Sequence, residues 1–153
     1  MTKTSPLLLA LLAAAILILI AAPSGGSPAS PLRVAQAQPD VRAQLRTAIT
    51  HAGFAAEGDS LGYVRQHLGH TLNCIEGTSG KNFDRTWGHV CQGQGNGIAA
   101  DLRATSGGAP YRSIIEHADA LATSGIAGRD IAEVKVVARA VRALLTVIAD
   151  GLK

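Results

Sequence analysis

The chain has 153 residues, 47% of them hydrophobic, with a formal net charge of +3 and a pI of about 9.2. Lys3 and Arg33 supply two of the positive charges, and residues 38–153 hold twelve Lys/Arg against eleven Asp/Glu, a net of +1. Dispersed basic residues, with one Trp, two Tyr and two Phe to stack on bases, exclude a nucleic-acid surface.

Residues 1–22 carry one charge, Lys3, and then an apolar run of 16 residues over 7–22. That is the n-region and h-region of a secretory signal. A membrane-spanning helix takes about 20 apolar residues, range roughly 17–25, so the run is slightly short for a span. A stretch rich in Pro, Ser, Gly and Ala follows, with a small-x-small cleavage site at Ala35-Gln36-Ala37. The expectation is a signal peptide over 1–37 and a mature domain over 38–153, with an uncleaved anchor as the alternative. Either way the domain is periplasmic or secreted and not embedded in the membrane. Its 116 residues suffice for a single core.

Two cysteines remain, Cys74 and Cys91. In an oxidising compartment an even count reads as a disulfide. Closing a loop of about 17 residues is worth roughly 3 kcal/mol in the chain-entropy model. A thiolate metal site would require the pair to stay reduced. Covalent haem attachment needs Cys-x-x-Cys-His, which is absent.

Strand signals are scarce and helical periodicity is clear. The first helix is expected over 40–57, capped by Asp40, with Val41, Leu45, Ala48, Ala52 and Ala55 on one face and Gly58 as its stop. The second runs from Asp59 or Ser60 to Glu76, with Leu61, Val64, Leu68, Leu72 and Ile75 inward and Gly77 as terminator. Residues 77–110 break the pattern with eight glycines, apart from a short helix over 98–105. Two more helices follow, over 110–124 and 129–152. Ile114, Ile115, Ala118, Leu121 and Ala122 face inward from the first of these, and Ile131, Val134, Val137, Ala138, Val141, Leu144, Leu145 and Ile148 from the second. The predicted architecture is all-α. It is an antiparallel four-helix bundle with a long Gly-rich, disulfide-closed loop between its two helical hairpins.

Five histidines carry the chemistry: His51, His67, His70, His89 and His117. His67 and His70, three residues apart, share a helix face with Cβ atoms about 5–6 Å apart. Tyr63, His67, His70 and Cys74 form a second stripe, rotated by roughly 90–150° from the leucine stripe. His51 and His117 sit beside the apolar faces of their own helices, where neighbouring helices meet. Neutral imidazoles suit Cu, Zn or Ni, and a carboxylate such as Glu76 or Asp119 with water would complete a site. His89 lies in the loop and reads as an ordinary side chain. A b-type haem would need two axial ligands, His51 or His67 with His117, because Met1 is the only methionine.

The run Gly93-Gln94-Gly95-Asn96-Gly97 has neither the preceding strand nor the spacing of a phosphate-binding fingerprint. Its glycines are expected to serve a tight path beside Cys91. Phe83 and Trp87 are expected to pin the loop on the end of the bundle. No Glu-x-x-His motif is present, the acids are dispersed, and both cysteines are expected to be oxidised, so an enzyme is not expected.

The helices containing His51-Ala52, His67-Leu68-Gly69-His70 and His117-Ala118 resemble those of small periplasmic metal-binding proteins. Those are exported helical bundles that hold copper and other divalent metals through histidines. The resemblance covers about 41–76 and 111–125, and it implies His51, His67, His70 and His117 as ligands. The last helix departs from that pattern in having no histidine, and the Gly-rich loop is foreign to it. The expected function is binding of a divalent transition metal for buffering or sequestration. A non-catalytic interaction module built on the stapled loop is the competing reading.

Overall fold

The computed structural model describes residues 39–152; the expected leader over 1–37 lies outside the described residues. The described chain is all-helical, with α1 (Val41–Glu57), α2 (Leu61–Glu76), α3 (Ile98–Ala104), α4 (Arg112–Ala127) and α5 (Ile131–Gly151). Single 3-10 turns occupy Arg85–Trp87 and Ala109–Tyr111. No helix among these is long and apolar enough to cross a membrane.

Three of the four long helices start on a side-chain cap. The Asp40 carboxylate accepts from the backbone N–H groups of Arg42 (3.0 Å) and Ala43 (2.9 Å), and its own N–H donates to the Gln94 carbonyl (2.8 Å). Ser60 caps α2 and Asp130 caps α5 in the same way. Gly77 ends α2 with φ 63°, and a Cβ there would strike the Asn96 backbone. Pro110 falls in the 3-10 turn rather than in α4, so that helix begins two residues later than expected.

α1 packs on α2 and α5, and α4 packs on α2 and α5, with the short α3 touching α1, α2 and α4. Most of the inward residues anticipated from periodicity form the core, while Leu61, Ile114, Leu121, Ile131, Val137 and Leu144 are only partly buried against it. Leu45, Ala48, Val64, Leu68, Ile75, Ala118, Ala122, Ala138, Val141, Leu145 and Ile148 are fully buried. The many alanines let the helices approach closely while each contributes little apolar area.

Four polar residues are buried with them: Gln44, Thr71, Asn73 and Asp101. Buried polar groups are tolerated only when paired, and these pairings fix the irregular segment. The Gln44 amide donates to Asp101 (2.7 Å) and accepts from the Gly97 N–H (3.0 Å), while Asp101 also accepts from the Asn96 N–H (2.9 Å) and side-chain amide (3.0 Å). A Cβ on Gly95 would collide with both Gln44 and Asp101, so close approach as well as positive φ explains the glycine run. Asn73 clasps the other end of the loop, donating to the carbonyls of Asp84 (2.7 Å) and Gly88 (2.5 Å) and accepting from the Asp84 N–H (3.0 Å). The Cys74–Cys91 disulfide closes the segment one residue further along α2.

Candidate metal centre

His51 comes from α1 and His67 and His70 from the adjoining face of α2. The two helices are held in register near them by Thr71, whose hydroxyl donates to the carbonyl of His67 (3.0 Å) and approaches that of Ala48 on α1 (3.4 Å). Nδ1 of His51 lies 2.9 Å from Nδ1 of His67 and 3.2 Å from Nδ1 of His70. One ring nitrogen from each of the three lies within 4.8 Å of the others. Nitrogens tetrahedrally placed about 2.0–2.1 Å from a zinc ion would be about 3.3 Å apart, so only a small adjustment is needed to surround one.

Protein hydrogen bonding alone serves this arrangement poorly. A neutral imidazole nitrogen offers either one N–H or one lone pair. Nδ1 of His51 has two close nitrogen neighbours and cannot satisfy both. A cation accepting three lone pairs resolves the conflict.

The rings are also kept neutral. Burial, reinforced by the neighbouring His70 and His67, lowers the pKa of His51 to about 4. Burial and then His70 lower that of His67, and burial lowers that of His70. Lone pairs are therefore available near neutral pH. The opposing influence on His70 is a hydrogen bond to the Trp87 backbone, and its Nε2 edge lies against Gly88. A carbonyl accepting from the far nitrogen fixes which nitrogen is free to ligate. Trp87 reaches that position because Gly69, between the two α2 histidines, leaves room for the indole; a Cβ there would overlap it.

Aromatic rings complete the walls. Phe54 meets His51 and His67 edge-on, with centroids 5.6 and 5.2 Å apart, and Tyr63 lies 4.3 Å from His67. Phe54 escaped the sequence reading, although its i+3 relation to His51 places it on the same face. The Trp87 carbonyl had no sequence signal, because its position depends on the folded loop.

His117 does not join the cluster. It is exposed on α4, with Nδ1 2.6 Å from the Ser113 carbonyl, and α4 packs on α2 and α5 rather than lying along α1 beside His51. The haem ligand pair that included His117 is therefore not brought together. Glu76 and Asp119 do not reach the histidines either. They face each other, with Asn82 donating to Asp119 (2.9 Å), and burial and then Asp119 raise the pKa of Glu76. One Asp119 oxygen is buried without a partner. His89 stacks edge-on against Phe83, 5.3 Å away.

The lowered histidine pKa values carry a sign. The unfolded chain takes up protons below about pH 6.5 that folded His51 refuses down to about pH 4, and His67 and His70 are shifted in the same direction. Stability is therefore full above that window and lost as pH falls through it. Glu76, with its raised pKa, works in the opposite sense, so the comparison has to be between variants. The melting temperature of metal-free protein should fall more steeply from pH 7 to pH 4 than that of His67→Gln/His70→Gln. Equal slopes would show that the cluster is not held neutral.

Compared with family models, curated proteins and solved structures, the chain finds no match.

Proposed function

We propose that this protein is exported and holds one divalent transition-metal ion, copper, zinc or nickel, through His51, His67 and His70, as a buffering or sequestering protein rather than an enzyme. The convergence of three neutral ring nitrogens within 4.8 Å carries the reading. The resemblance to small periplasmic metal-binding proteins points the same way, with three of its four implied ligands in the cluster. Export is supported by the signal-like residues 1–37 and by the Cys74–Cys91 disulfide, which belongs to an oxidising compartment. The proposed frame is the up-down-up-down arrangement of α1, α2, α4 and α5. Short connections within each hairpin and the packing of α1 on α2 and α4 on α5 support it.

The test is isothermal titration of the disulfide-intact protein with Cu(II), Zn(II) and Ni(II), beside a His67→Ala/His70→Ala variant. One ion bound per chain and lost in the variant is the expected result. Binding no tighter than that of free imidazole, or binding unchanged in the variant, would overturn the reading.

A further inference from the structure

We propose that the metal ion keeps one coordination position free of protein, and that this position takes a small monovalent anion from solution. The inference rests on the three-histidine reading above and extends it from what holds the ion to what the ion in turn binds.

The first argument is a count of donors. Among the described residues, no fourth His, Cys, Asp or Glu joins His51, His67 and His70. The other donors that the sequence offered are committed elsewhere. Cys74, one helical turn beyond His70, is fully buried and bonded to Cys91. Glu76 is turned to Asp119, and His117 lies against its own helix. Sites whose ligands are all protein are typically four-coordinate, whereas three protein ligands leave a place for water or an external molecule.

The second argument is placement. All three histidines are half-buried rather than enclosed, so the cluster lies at the surface of the α1–α2 face. Phe54 and Tyr63, which wall it, are themselves 43% and 44% exposed. Solvent therefore reaches the ion's remaining side.

The third argument is charge. Three neutral imidazoles leave the ion's two positive charges uncompensated in a half-buried setting, and no carboxylate in the cluster offsets them. An anion at the fourth position lowers that cost. Beyond Phe54 and Tyr63 lies a cleft of about 360 Å³ whose other walls include Glu57 and Asp59. Glu57 is paired with Arg142 (3.9 Å), and the Asp59 carboxylate repels a multiply charged anion more strongly than a singly charged one, so the position favours azide, halide or a comparable small anion over phosphate or sulfate. The exchange balances simply: one bound water leaves as one anion arrives, with no change in oxidation state.

The experiment loads the full chain with one equivalent of Co(II), whose visible bands report coordination, and titrates azide and then inorganic phosphate. Tyr63→Phe is carried alongside, because the Tyr63 ring is 4.3 Å from His67 and its hydroxyl is the other conceivable fourth donor. The expected result is a band shift that saturates at one azide per cobalt, is the same in Tyr63→Phe, and is not produced by phosphate. Cobalt binding with no azide response would show a closed site, and a response only in Tyr63→Phe would make Tyr63 the fourth ligand. A phosphate response equal to that of azide would remove the selectivity. Each of these outcomes overturns the inference while leaving the metal site standing; failure of cobalt to bind at all would overturn both.

Discussion

His51→Ala is expected to abolish stoichiometric metal binding, while His117→Ala leaves it unchanged. His51 is the hub of the cluster: both short nitrogen–nitrogen contacts, 2.9 and 3.2 Å, run to its Nδ1, and it is the only ligand from α1. Without it, His67 and His70 remain as a two-donor site on one helix. Loss of a partner that merely orients a ligand already costs about 10–100-fold in affinity, so loss of the ligand itself should cost at least about 100-fold. Competition against a chromophoric chelator measures this directly. Retention of affinity within about threefold, against that 100-fold scale, would mean that the ion sits elsewhere. The His117 control separates the site drawn by the fold from the larger set that the resemblance implied.

The second large effect is on stability and reaches the metal indirectly. Replacing both cysteines by alanine should destabilise the protein by about 3 kcal/mol, from the chain entropy of a loop of 17 residues. For a domain of this size that lowers the melting temperature by roughly 10–20 °C. Alanine is preferred to serine because both positions are buried among apolar side chains and an unpaired hydroxyl would add its own penalty. The same loop carries the Trp87 carbonyl that orients His70, so metal affinity should fall by about 10–100-fold as well. Calorimetric melting and metal competition on one preparation check both. A lower melting temperature with unchanged affinity would confine the disulfide to a structural role.

Periodicity alone located the helices and nearly all of the apolar core, because each helix must bury a stripe and that stripe recurs every three or four residues. The His67/His70 pair was legible for the same reason. The joining of His51 to it was only half legible. Its flanking position on α1 put it at an edge between helices, but so did that of His117, and no pattern within either helix says which edge faces which neighbour. The buried Gln44, Asn73 and Asp101 were invisible, since their partners lie in a segment with no periodicity to read. Trp87 was expected to pin the loop on the end of the bundle; it packs instead on Gly69, midway along α2. That the glycine between two metal ligands is the notch for it follows only from the fold.

Residue 95 sits against two side chains that arrive from far away in the sequence. The space a Cβ would take there is filled by Gln44 of α1 and Asp101 of α3, which are bonded to each other. The three positions are thus structurally coupled. A shorter residue at 44 would free room at 95 but cost Asp101 one of its three hydrogen bonds and leave the Gly97 N–H without its partner. Descendants of a common ancestor should therefore change Gln44, Gly95 and Asp101 together or leave all three alone.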